Sequence, residues 1–420
     1  MSKHARDRRP YLKPVTKIEL SDDHSTLRLI LIVVLLAIAC VAIFISVGSS
    51  LKVEPGWQKA EVDSEKVNCS LEVTLMYDFS DYSVNDSTDA LKKLNALYTT
   101  LTEDGYAIFT ASDYETEFHN VRYLNDHINE KVSVDPVLYK ALEQIVKYDS
   151  RYPFLAPVYE EYDRVFLQSN EEDAMRYDPS KSPELMDYIQ EAVAFGNDAQ
   201  MIWLELFGNN EVCLHVSDAY LAFAEDYELD TYFDFHWMTN AFIIDYMADT
   251  LMENGYTTGY IASYDGFNRN LDTRGNAYSH NVYDRLGNDI YLPASYNYDK
   301  PTAIVVLKNY SMSDMDRWHY FSYEDGSITT TYLDPADGVS KSATDNLFAY
   351  SREMGCGEIL LQTATLFIAE ELDLDNLQNL TNCGIYAIWA EENTLYCNET
   401  SAKLTVIPEN GGDQYRIIVK

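Results

Sequence analysis

An α+β domain behind a single membrane-spanning helix is the architecture this sequence predicts, and three observations carry it. Leu29 to Val47 are nineteen consecutive uncharged residues; as a helix they cross about 28 Å, the thickness of a bilayer core. Beyond them, helical and strand periodicities are interspersed over roughly 350 residues, without the βαβ rhythm of a doubly wound sheet. The clearest periodic block, Asp234 to Gly255, reads as a helix closed by a glycine and followed by an apolar strand.

The apolar run is longer than a signal-peptide core, and no small-residue cleavage site follows it, so it reads as an uncleaved anchor. Cys40 follows Ala-Ile-Ala as in a lipoprotein site, but the run continues seven residues beyond it. Residues 1–28 carry seven basic residues (Lys3, Arg6, Arg8, Arg9, Lys13, Lys17, Arg28) against four acids, a net of +3. A chain total of −37 leaves −40 on the remainder. Basic flanks stay in the cytoplasm, which puts the large carboxy-terminal body outside. The expected division is a basic cytoplasmic tail (1–28), the helix (29–47), a polar stalk (48–68) and an extracytoplasmic domain (69–420). An acidic body of this kind has no basic stripe for nucleic acid, and a diphosphate ligand would need a local cation.

The domain opens with a strand in which Cys69, Leu71, Val73, Leu75 and Tyr77 alternate with other residues. A helix over 87–104 turns Leu91, Leu94, Leu97, Tyr98 and Leu101 inward and stops at Gly105. A second starts between Ser133 and Pro136, burying Leu138, Leu142, Ile145 and Val146. A third runs from Ser182-Pro183, where Pro suits the first turn, to Gly196. EVCLHV and AYLAFAE read as strands. In the Asp234–Gly255 helix the inward face is Trp237, Ala241, Ile244, Ala248 and Leu251, with Gly255 as a left-handed stop. Strands follow at TAIVVLKNY and TTTYL around a turn at Glu324-Asp325-Gly326, then a helix near 355–370 and a final hairpin, GIYAIWAEENTLY. The domain is large enough for one body or two lobes.

Five cysteines lie beyond the apolar run, with no C-x-x-C pair. Cys383 and Cys397 flank the final hairpin, and a disulfide across it is one possible pairing. No metal-spaced histidines, G-x-S-x-G, P-loop or EF-hand loop occurs. Cys213-x-His215 reads as strand, and the thirty-four tyrosines as core and interface aromatics.

The block DFHWMTNAFIIDYMADTLMENG followed by YTTGYIASYDG resembles, without a gap, the central block of the ApbE-type FAD:protein FMN transferases. In that family it runs Asp, a small-residue turn, Lys-Gly, an aromatic, two small residues and Asp. Asp234, Phe242 and Asp245 hold their places; Asn240 and Ala241 stand where the family has Lys-Gly. The resemblance covers roughly residues 70–405. It takes in SDYETEFHNVRYLND, NEKVSVDPVLYKALEQIV and DSRYPFLAPVYEEY, the last where the family holds FAD through Thr-Asp-Gly-x-Phe-Asp. Phe154 corresponds to the aromatic of that segment, and Leu155 replaces its acid. YDGFNRNL resembles a Gly-Gly-Asp-x-Arg turn, with Gly266 and Arg269 matching and Asp265 and Phe267 substituted. SMSDMDRWHYFSYEDGSITTTYLDPADG resembles the stretch ending in His-x-x-Asp-Pro-x-x-Gly. Ser313, Arg317, Asp334, Pro335 and Gly338 match, and Thr331 takes the His position.

The resemblance implies an extracytoplasmic FMN transferase acting on Thr or Ser of membrane redox proteins, with FAD and Mg²⁺ as cofactors. It implies catalytic roles at Thr331 and Asp334. Cofactor contacts would fall to Phe154, Asn240, Ala241, Asp245, Gly266, Arg269, Ser313, Arg317 and Pro335, and metal ligation to Glu358 and Thr363. The substitutions argue against both cofactors. Thr331 can donate one hydrogen bond but cannot titrate near neutrality. The family binds Mg²⁺ through an Asp and a Thr four residues apart on one helix, whereas Glu358 and Thr363 are five apart, about 140° around a helix. Gln362 has the right spacing but is a poor Mg²⁺ ligand. The leading expectation is a divergent, non-catalytic member that binds a ligand or a membrane partner. The rivals are a working transferase with a rebuilt site and a Tyr-rich surface-binding module.

Overall fold

The computed structural model describes residues 33–35 and 53–419, apart from 68, 70, 72, 314 and 315. Of the anchor expected at 29–47, only the helical residues 33–35 are among them; the rest of that span and the basic tail lie outside the described residues. Among the described residues no helix is long and apolar enough to cross a membrane. The chain divides into a unit Met1–Glu54 and a unit Pro55–Lys420. The second unit, described below, is a single body rather than two lobes.

Its strands are β1 (Trp57–Lys59), β2 (Val73–Asp78), β3 (Val132–Ser133), β4 (Ile202–Gly208), β5 (Glu211–Val216), β6 (Gly259–Ser263), β7 (Phe267–Asn270), β8 (Tyr278–Leu286) and β9 (Asp289–Tyr298). They continue with β10 (Ala303–Lys308), β11 (Tyr320–Ser322), β12 (Ile328–Thr330), β13 (Asn346–Ser351), β14 (Ile385–Glu391), β15 (Thr394–Cys397), β16 (Lys403–Val406) and β17 (Arg416–Val419). The helices are α1 (Val84–Phe109), α2 (Val121–Asp126), α3 (Pro136–Lys147), α4 (Ala156–Phe166), α5 (Glu171–Tyr177), α6 (Pro183–Asn197), α7 (Asp218–Asp226), α8 (Thr239–Glu253), α9 (Cys356–Phe367) and α10 (Leu374–Asn379). The mixture is α+β, as the sequence predicts.

A nine-stranded sheet in the order β1-β2-β6-β7-β10-β13-β14-β15-β17 is the centre of the body. Its pairs are antiparallel except β15–β17. Side chains of a strand alternate between faces, and the two faces have different covers. Ala303, Val305, Leu307, Leu347 and Ala349 join the large core beneath α1, α8 and α9. Their neighbours Ile304, Phe348 and Tyr350 point the other way, into a smaller core with Val282, Ala294 and Tyr296 of the β8–β9 hairpin. The sheet β3-β5-β4 and helices α2 to α7 extend the large core beyond the main sheet.

Several expectations are corrected. The helix expected at 87–104 begins at Val84, where Ser83 accepts from the Asp86 amide, and continues through Gly105 to Phe109. Gly105 is a packing device rather than a stop: a Cβ there would stand 2.9 Å from Cγ2 of Ile243 on α8. AYLAFAE is not a strand but α7, capped by Ser217, with the tilted rings of Tyr220, Phe223 and the C-cap Tyr227 packed in succession along one face. The strand expected from Cys69 starts at Val73, and Val146 is exposed. Trp57–Lys59, within the expected stalk, pairs with β2, and Trp57 packs against Tyr260 and Tyr278. The final hairpin forms as β14–β15, but the disulfide across it does not. Cys383 lies before β14 in an exposed 3-10 turn, while Cys397 is buried against Tyr350. Tyrosine is largely core material; Tyr159, Tyr162, Tyr220, Tyr296 and Tyr350 are fully buried.

Candidate functional site

The site is organised by the five residues, Asp234 to Met238, that lead into α8. The Asp234 carboxylate accepts from the His236 amide at 2.9 Å, which turns the chain so that His236 adopts φ +46° as the first residue of the 3-10 turn His236–Met238. A positive φ is rare for a residue with a Cβ and is held only where its surroundings over-determine it. Three contacts do so. The imidazole stacks flat on Tyr159, with ring centroids 4.3 Å apart. Its Nε2 lies 3.1 Å from both carboxylate oxygens of Asp163 on α4, and its Nδ1 lies 3.3 Å from Oγ1 of Thr331. Tyr159 is itself fixed by the Trp237 indole, which donates to its hydroxyl at 3.1 Å.

Burial opposes charge on His236, but the Asp163 and Asp234 carboxylates outweigh it and raise its pKa above the ordinary imidazole value. A raised folded-state pKa contributes stability that is full below the unfolded value and disappears as pH rises through the folded one. Asp163→Asn is therefore expected to lower the His236 midpoint in an NMR titration. It should also cost more stability at mildly acidic than at mildly alkaline pH. A midpoint unchanged by the substitution would show that Asp163 does not hold the proton there.

Asp163, Asp234 and His236 line a cavity of about 480 Å³ together with Phe109, Trp237 and Trp318. No Lys or Arg is among its lining residues within the described part of the chain. Thr331 is buried behind His236, and its amide donates to the His319 carbonyl at 3.1 Å. In the first turn of α8, the Asn240 side-chain amide donates to Asp265 Oδ2 at 2.8 Å; Oδ1 of Asp265 is buried with no hydrogen-bond partner among the described residues. Ala241 is fully buried in the large core.

Asp245 and Arg269 meet on the other side of α8. Arg269 donates to Asp245 at 2.6 Å and to Asp249 at 3.1 Å, and the Asp245 carboxylate also accepts from the Cys356 and Gly357 amides at 2.8 and 2.9 Å. The carboxylate thus caps α9 and welds it to α8 and β7. Gly355 is required here, because a Cβ would collide with that carboxylate. Gly266 has φ +110°, and its close approach is to the Val306 carbonyl of β10 rather than to open space.

The other sequence-derived residues lie apart. Phe154 is core, with the Arg151 guanidinium 4.1 Å over its ring and Phe233 at its edge. Asp334 holds a turn through the Ala336 amide and pairs with Lys341 at 2.8 Å; Pro335 follows in the same turn, beside Tyr152. The Ser313 amide donates to Asp316, and the exposed Arg317 stacks its guanidinium 4.2 Å over Trp318. Glu358 accepts from Lys147 at 2.9 Å and Tyr148 at 3.0 Å. Thr363 faces the core and donates to the Ile359 carbonyl. These two expected metal ligands are not brought together, and no group of three or more His, Cys, Asp or Glu able to hold a metal occurs among the described residues. Sequence reasoning did not single out His236 or Asp163; its one local signal was the Asp-x-His spacing in the block DFHW.

No family profile and no curated protein matches the sequence. Solved structures match in shape. The ApbE protein from Thermotoga maritima superimposes with a TM-score of 0.55 at 14% identity, over 80% of this chain and 94% of that one. The flavin transferase ApbE from Vibrio cholerae does so with a TM-score of 0.50 at 11% identity, over 84% and 97%. The chain has the ApbE flavin-transferase fold. The resemblance read from the Asp234–Gly255 block holds at that level.

Proposed function

We propose that this chain is a membrane-anchored extracytoplasmic binding protein built on the ApbE fold, divergent from the flavin transferases and without FMN transfer. The observation that carries the reading is the state of Asn240. It stands where the resemblance places a lysine, and it is tied to the Asp265 carboxylate beside an acid-lined cavity with no Lys or Arg among its described lining residues. Neither implied cofactor fits these residues. A diphosphate would meet Asp163 and Asp234, with no Lys or Arg among the described lining residues to offset its charge. Mg²⁺ would find Glu358 already engaged by Lys147 and the Thr363 hydroxyl turned to its own helix. Phosphoryl transfer depends on electrostatic stabilisation by such cations, so no step is available through them here.

Two measurements test the reading. FAD should show no saturable binding to the purified full chain in equilibrium dialysis, with or without Mg²⁺. Protease added to intact cells or spheroplasts should digest the body and spare the basic tail. Tight FAD binding would restore the cofactor role, and a protected body would reverse the topology.

A further inference from the structure

We infer that the body rests the Trp57 end of its main sheet on a bilayer surface, with the zwitterionic headgroup layer as the partner. The inference rests on the proposed membrane anchor. Trp57 opens β1, the outermost strand of the sheet, and stands ten residues after Val47, where the apolar run ends. Ten residues reach at most about 35 Å, so an anchored chain keeps this end of the sheet close to the membrane surface.

The chemistry of that end suits the headgroup layer. The register sets Lys59 beside Met76, Met76 beside Tyr260 and Trp57 beside Asp78, so these side chains share one face of the sheet. The alternate residues Leu75 and Tyr77 enter the large core on the other face. The Trp57 ring lies 6.2 Å from Tyr260 and 5.9 Å from Tyr278, yet remains 47% exposed, and both tyrosines are half-buried. Tyr82, also exposed, sits in the turn after β2, and that turn is tied to the strand by the Phe79 amide, which donates to the Gly56 carbonyl beside Trp57. Trp and Tyr carry an apolar body and a polar tip, and they settle where hydrocarbon meets water. Charge does not supply the attraction. Anionic lipid is held by clusters of Lys and Arg, whereas here Arg274 is engaged by Asp78 and Asp81 and Lys59 is the one exposed cation of β1.

The test uses the full chain in phosphatidylcholine nanodiscs, made with and without lipid brominated near the glycerol end of its acyl chains. Bromine quenches indole emission at contact range. Comparison with Trp57→Phe, which keeps an aromatic ring against Tyr260 and Tyr278, isolates the ring at issue from the other tryptophans. Brominated lipid is expected to remove a part of the wild-type emission that Trp57→Phe lacks, with the two melting curves alike. High salt should leave that loss unchanged, because screening weakens charge contacts and not ring burial. Equal quenching of both proteins, quenching of neither, or a loss abolished by salt overturns the inference. A chain that stays out of the discs overturns the anchor and this inference together. A chain that enters them without quenching at Trp57 leaves the anchor standing.

Discussion

Asp245→Ala should lower the unfolding free energy by about 3–5 kcal/mol, the usual consequence of leaving one member of a buried ion pair alone. Arg269 would keep Asp249 as its remaining partner, and that carboxylate is 38% exposed against 16% for Asp245. The amides of Cys356 and Gly357 would lose their acceptor at the same time. The effect is large because one carboxylate joins α8, β7 and the start of α9. Urea unfolding with circular dichroism measures it directly. A loss below about 1 kcal/mol would show that the group is a weak surface pair and not a structural junction.

Gly266→Ala should be nearly as damaging, by roughly 2–5 kcal/mol. Two costs combine, a backbone angle that side chains rarely adopt and overpacking against the neighbouring strand. At φ +110° the added methyl meets the Val306 carbonyl, whose amide donates back to the Gly266 carbonyl at 2.9 Å. The β7–β10 pairing would have to open to admit it. Gly326→Ala is the matched control: it also has positive φ, but open space surrounds its Cβ position, so it should lose only the backbone part. Similar losses at both positions would remove the strand contact from the explanation.

Helices announced by local chemistry were the legible part of the fold. Ser182-Pro183 and Asp135-Pro136 place α6 and α3 within a residue or two, because a cap and a proline act on their own neighbours. Gly255 likewise adopts the left-handed conformation expected of it, φ +84°. What depends on distant partners was not legible. Gly105 looks like a stop until Ile243 is seen to need its missing Cβ. The β8–β9 hairpin hides in a polar, Tyr-rich stretch. Its register shifts between Val282 and Asp284, where Pro293 of β9 interrupts the pairing. AYLAFAE reads as strand, yet its Tyr220 and Phe223, with Tyr227 just beyond, follow helical spacing.

The candidate site divides in the same way. Resemblance brought Asn240, Asp245, Arg269 and Thr331 into view. It could not show that Asn240 is tied to Asp265, that Asp245 is spent on capping α9, or that Thr331 abuts His236. His236 and Asp163 are 73 residues apart, and no sequence pattern joins them.

Loss of flavin transfer is the central claim, and one assay reaches it most directly. The purified full chain is incubated with FAD, Mg²⁺ and an acceptor domain carrying a modifiable Thr or Ser, and the acceptor is weighed by mass spectrometry. The account predicts an acceptor of unchanged mass, including at long incubation. An FMN adduct that forms in proportion to the protein and vanishes on adding a chelator would contradict it. Such an adduct would mean that Glu358, Thr363 or other carboxylates rearrange to build the metal site.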